Sequence, residues 1–156
     1  MGTPYTVSRS ATIAAPPERI RALINDFHEW VAWSPWEDID PAMSRTYSGA
    51  DRGVGAHYAW EGNKKAGKGW MQITRDEPGA VGADLHFDKP FPADNRFVFT
   101  LTPSGADATQ VEWRMDGELS AVMRVFSIFK SMDSLVGPDV EKGLARLRKV
   151  AETPLP

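Results

Sequence analysis

Cysteine is absent from this chain of 156 residues. Disulfides, thiolate metal sites and cysteine nucleophiles are therefore excluded. A reducing compartment is compatible with that absence, and a cytoplasmic location is expected. Histidine is scarce. His28, His57 and His86 lie far apart, with none of the close spacings of a metal-binding motif, so no metal is expected. Positive charge is not in excess, since 18 Lys and Arg face 21 Asp and Glu for a net charge of -3. No nucleic-acid partner is expected from that balance. The basic stretch Lys64-Lys65-Ala66-Gly67-Lys68 is a local, solvated turn. No apolar run approaches the ~18–20 residues that cross a bilayer. Residues 1–15 are polar and alternating, without the apolar stretch of a signal peptide. Neither a leader nor integral membrane association is expected. Phosphate-binding glycine loops and the GxSxG turn are missing as well, and no cofactor is expected.

Aromatic residues, by contrast, are plentiful: six Trp and seven Phe. The length fits a single domain over 1–156, large enough to bury a core without covalent staples. Residues 5–13 alternate in polarity, which reads as a half-buried strand. Ala15-Pro16-Pro17 ends it, and proline with Glu18 opens a short helix over 17–24. A second short helix or turn carries Phe27 and Trp30. From residue 43 the period becomes two again. Strands are expected at 43–48, 55–61, 67–77, 81–87, 95–103 and 109–118, separated by turn residues. Short separators favour antiparallel hairpins. The last segment carries an apolar stripe from Val125 to Val150, with a kink or short break expected at Gly137-Pro138.

The expected fold is therefore α+β. A curved seven-stranded antiparallel sheet wraps round a long C-terminal helix, with two short helices between the first and second strands. Alternation turns Tyr58, Trp60, Met71, Leu85 and Phe87 toward the helix, and likewise Phe97, Phe99, Trp113 and Met115. The helix contributes Phe126, Phe129 and Met132. The space between sheet and helix is either an aromatic core or a ligand cavity. Trp30, Trp33 and Trp36 either plug one end of the sheet or form a pocket wall, the plug being the simpler arrangement.

This order of elements resembles the helix-grip fold of the SRPBCC superfamily, which includes START lipid-transfer domains, pollen-allergen-like proteins and aromatic polyketide cyclases. The polyketide cyclase/dehydrase-like branch is the nearest match. It rests on Ala15-Pro16-Pro17-Glu18, Asp26-Phe27-His28-Glu29-Trp30, Trp33-Ser34-Pro35-Trp36 and Trp60-Glu61-Gly62-Asn63. Lys89-Pro90-Phe91, Met132-Asp133 and the run from Gly137-Pro138-Asp139 to Leu144 extend it over essentially the whole chain. The resemblance implies an internal apolar cavity. It implies no reaction, because fold does not fix function.

Chemistry-bearing residues are few. Glu61, after Trp60, and Asp133, beside the apolar stripe, are the acid/base candidates. The structural alternatives are a hairpin cap and a helix-surface carboxylate. An inward Arg9 or Arg45 would hold a ligand carboxylate or phosphate, or an ion pair across neighbouring strands, and the ion pair is expected. The leading reading is a protein, monomer or homodimer, that binds a small hydrophobic or amphipathic molecule such as a lipid, by the twelve inward residues named above. The alternatives are a metal-free cyclase or dehydratase using the same cavity, and an interaction module with a filled core. A cavity with a buried carboxylate favours the enzyme, a dry apolar cavity the binder, and no cavity the module.

Overall fold

In the computed structural model, residues 3–37, 39–89, 92–119 and 132–153 are described. Seven strands form one antiparallel sheet: β1 (Thr3–Ile13), β2 (Ser44–Gly49), β3 (Ala56–Glu61), β4 (Lys68–Glu77), β5 (Ala80–Lys89), β6 (Ala93–Pro103) and β7 (Thr109–Leu119). Their order is β1-β7-β6-β5-β4-β3-β2. Every strand from β2 to β7 pairs with its sequence neighbours, so turns of a few residues suffice there. Only β1 and β2 lie at opposite edges, and the segment between them crosses one end of the sheet. The expected strand limits agree with the observed ones to within two residues.

That crossing segment carries α1 (Pro17–Ile24) and a 3-10 helix (Phe27–Ala32). Pro17 opens α1, where a missing N–H costs nothing, and Ile20, Leu23 and Ile24 bury one face. The Asp26 side chain accepts from the His28 amide and starts the 3-10 turn. Two indoles then satisfy the orphan carbonyls at the end of α1. Trp30 Nε1 donates to the Ile24 carbonyl at 2.8 Å, and Trp33 Nε1 to the Leu23 carbonyl at 2.9 Å. Both rings are buried. The Trp30–Trp33 pair is thus the plug of that end.

The C-terminal helix α2 (Met132–Glu152) packs on β1 and α1. Val140, Leu144, Leu147 and Ala151 recur at helical spacing and are buried. Arg19 caps its far end, donating to the carbonyls of Ala151, Val150 and Thr153. The helix is continuous through Gly137-Pro138, so of the kink or short break expected there the break is not found. Pro138 has no N–H to give the carbonyl four residues back, yet the packing on β1 holds the turns on either side together. Gly143 is explained by proximity. A Cβ at that position would lie 2.8 Å from the Trp113 ring and 2.9 Å from Pro35. The roughly 1 kcal/mol that glycine costs a helix is offset here by close approach of helix to core.

Candidate functional site

A cavity of about 340 Å³ lies between the sheet and α2. Its floor is one cross-strand row. Reading the register across the sheet, Tyr58 faces Met71, Met71 faces Leu85, Leu85 faces Asn95, Asn95 faces Gly117, and Gly117 faces Tyr5. The next row toward the mouth is Trp60, Gly69, Phe87 and Ala93. The glycines in these rows let neighbouring side chains lie flat on the sheet, Trp60 over Gly69 and Asn95 with Tyr5 over Gly117. Gly117 has no alternative, because a Cβ there would collide with the Asn95 side-chain oxygen and the Tyr5 ring. Trp36, Glu37, Ile39 and Met43 from the segment before β2 add to the wall, with Val136 and Asp139 of α2.

Ser34, Lys65, Glu118 and Asp139 also border the cavity, and two hydrogen-bonded polar groups stand in its wall. At the first, the Glu37 side chain is 8% exposed and each of its oxygens has one partner. The Tyr58 hydroxyl donates to Glu37 Oε1 at 3.0 Å, and Arg45 Nε donates to Oε2 at 2.6 Å. Arg45 also reaches the main-chain oxygens of Glu37 and Met43, at 2.9 and 3.3 Å. One guanidinium therefore closes the 37–45 loop on itself and aims a carboxylate at the cavity. Burial, and then the Glu37 charge, pushes the Tyr58 hydroxyl well above the ordinary phenol range. Tyr58 stays a donor to Glu37 at any physiological pH. At the second place, the Tyr5 hydroxyl donates to the Asn95 side-chain oxygen. Burial, followed by the Asp116 charge, raises Tyr5 to about 12.

Of the residues expected to meet a ligand, Tyr58, Trp60, Met71, Leu85, Phe87 and Met115 line the cavity. Phe97, Phe99 and Trp113 do not. They share the inward face but pack as core against Trp30 and Trp33, whereas Met115, the register partner of Phe97, reaches the cavity. Phe126 and Phe129 lie outside the described residues, as do the side chains of Met132 and Asp133. Glu61 is exposed, pairs in register with Ser44 and Lys68, and borders a separate, shallower depression that includes Trp70 and Asp88. It does not line the cavity. Arg9 and Arg45 both make ion pairs, but not across neighbouring strands. Arg9 pairs with Glu141 of α2 at 3.1 Å, and Arg45 with Glu37. Trp36, unlike the other two tryptophans of its segment, is half-buried and lines the cavity. Glu37, Tyr5 and Asn95 escaped the sequence reading. Glu37 sits on an irregular loop where no periodicity assigns a face, and its only signal is its place just after Trp36 in the aromatic segment.

The opposite face carries a stack of its own. Trp70 lies between His57 and His86, at ring distances of 5.3 and 5.4 Å. His86 Nδ1 meets Asp94 at 2.6 Å and Nε2 meets Asp88 at 3.0 Å. The Asp94 hydrogen bond first, and then Asp88, raise the His86 pKa above its ordinary 6.5. A raised folded value stabilises the fold below the unfolded pKa of about 6.5, and that contribution is lost as pH rises through the folded value. The urea midpoint is expected to fall between about pH 6.5 and the raised folded value. An Asp88→Asn/Asp94→Asn variant should flatten this slope. A slope identical in variant and native protein would contradict the assignment.

A family model described as polyketide cyclase / dehydrase and lipid transport matches residues 4–152. The chain belongs to this polyketide cyclase/dehydrase family. No curated protein matches it. Solved structures share its fold at low identity. A START superfamily protein from Mycobacterium smegmatis is 18% identical, with a TM-score of 0.62 over 94% of this chain and 97% of that one. An aromatase/cyclase from a Streptomyces species is 14% identical, with a TM-score of 0.69 over 96% and 94%. Norcoclaurine synthase from Thalictrum flavum is 8% identical, with a TM-score of 0.72 over 99% and 91%. The α+β helix-grip fold is that of these proteins. The polyketide cyclase/dehydrase family and these START-like neighbours support a ligand-binding helix-grip fold.

Proposed function

We propose that this member of the family binds a small hydrophobic or amphipathic molecule between sheet and α2, and carries or sequesters it. The observation that carries the reading is the cavity of about 340 Å³ with its largely apolar wall. Its volume falls in the range of small-molecule sites, where apolar area supplies affinity and a few polar groups set orientation. An unfilled space of this size counts against a module that works only through its surface. Among the described residues no helix is long and apolar enough to cross a membrane.

Nile red, a neutral apolar dye, is expected to bind with one site and to brighten as it leaves water. Chelator should leave that titration unchanged. Ala93→Phe, which fills the space beside Phe87, should weaken binding by at least about tenfold while the melting curve stays cooperative. Binding that survives Ala93→Phe unaltered would place the dye elsewhere and sink the reading.

One observation favours the catalytic alternative: Glu37 is a buried carboxylate on the cavity wall. Held by Tyr58 and Arg45, it would position a proton acceptor against a folded, carbonyl-rich chain, and proximity would do most of the work. Turnover of a polyketide-like substrate that vanishes in Glu37→Gln, with Nile red still bound, would move this reading ahead. The same assay on Asp133→Asn covers the carboxylate at the start of α2.

A further inference from the structure

At Glu37 and Tyr58 the cavity wall offers acceptors rather than donors, while the amide nitrogen of Asn95 stands at the other polar place, and that sets which end-group a ligand needs beside Glu37. We propose, building on the binding reading above, that the cavity selects neutral amphiphiles carrying a hydroxyl group, seated against Glu37 and Tyr58, and rejects carboxylates.

Beside Glu37 the nearby donors are already spent. Tyr58 has one hydroxyl hydrogen and gives it to Glu37 Oε1. Toward a ligand its oxygen has only lone pairs left. Each Glu37 oxygen likewise keeps a second lone-pair direction after its one partner is counted. The nearest cation is committed, since Arg45 directs Nε, Nη1 and Nη2 to Glu37 and to the Met43 carbonyl. A ligand hydroxyl can donate into this arrangement. A ligand carboxylate has no hydrogen to donate and would bring a second negative charge into a buried wall. The other charged side chains of the described lining lean the same way, with Glu118 and Asp139 against Lys65. An ammonium group gains less than Glu37 alone would offer, because Arg45 already balances that charge at 2.6 Å and the cation would give up its own hydration. A neutral hydroxyl fits best.

The test is displacement of Nile red at pH 7 by four compounds of one shape: 2-methylnaphthalene, 2-naphthol, 2-naphthoate and 2-naphthylmethylammonium. Naphthol should bind roughly tenfold tighter than methylnaphthalene, the scale of one net hydrogen bond. Both ions should bind more weakly than methylnaphthalene. Glu37→Gln replaces an acceptor by an amide donor and releases Arg45. In that variant the naphthol advantage should shrink and naphthoate should gain. The order among the four compounds on the native protein decides the matter even where the variant is poorly folded. Naphthoate or the ammonium compound equalling naphthol on the native protein would overturn the proposal. Four indistinguishable affinities would overturn the selectivity and leave the binding reading standing. Failure of Nile red itself to bind would fell the binding reading and this proposal with it.

Discussion

Phe99→Ala is expected to lower stability by ~3–5 kcal/mol, a melting shift on the order of 10 °C for a chain of this size. Phe99 is fully buried and stacks on its register partner Trp113, with ring centroids 4.7 Å apart and planes at 27°. Trp33 and Trp30 meet it edge-on at 5.8 and 6.2 Å. Truncation removes a ring from the centre of this cluster, and Trp30 and Trp33 are held by their own hydrogen bonds to α1, which resists collapse into the gap. Leu85→Ala is the matched control. Leu85 is buried too, but one side of it faces the open cavity, so fewer packing contacts are lost. Its loss should fall at the low end of the ~2–5 kcal/mol range for such truncations. Nile red should respond in the opposite order, weakly to Phe99→Ala and strongly to Leu85→Ala. Equal melting losses in the two variants would mean that no real distinction exists between the covered rows and the open ones.

The same contrast shows what was legible in the chain. Period-two alternation assigns each strand residue to a face, and it did so correctly for Met71, Leu85, Phe97, Phe99 and Trp113 alike. It carries no information about what lies above that face at each row. Phe97, Phe99 and Trp113 are covered by Trp30 and Trp33, whereas the row from Tyr58 to Tyr5, and Met115 beside Phe97, are not. That distinction arises from three segments meeting, and no local pattern encodes it. Proline and glycine punctuation located the hairpins and the start of α1. It did not foretell the two register shifts in β4, near Gly69 and between Ile73 and Arg75. Pro138 marks the reverse case. A strong local signal for a break was overridden by packing on β1. The polar part of the site was the least legible, because Glu37 acquires its role only when Arg45 and Tyr58 are brought to it from β2 and β3.

That dependence makes Glu37 the second position of large effect. Glu37→Ala is expected to cost about 2–4 kcal/mol, since it strands two partners at once. Arg45, 24% exposed, would keep its charge with no carboxylate, and the buried Tyr58 hydroxyl would have no acceptor. Most of that loss comes from the groups left behind and not from the attraction itself, because desolvating both ions consumes much of the Coulombic gain. A double variant should therefore recover stability. Glu37→Leu with Arg45→Met removes both charges and fills similar volume, leaving only the Tyr58 hydroxyl to be satisfied. It should stand within about 1–2 kcal/mol of the native protein, well above either single variant. Urea denaturation of the native protein, Glu37→Leu, Arg45→Met and the double variant gives the coupling directly. Glu37→Ala losing less than about 0.5 kcal/mol would show an ordinary surface pair. A double variant no more stable than the singles would show that the charges themselves, and not their desertion, hold the 37–45 loop over the cavity.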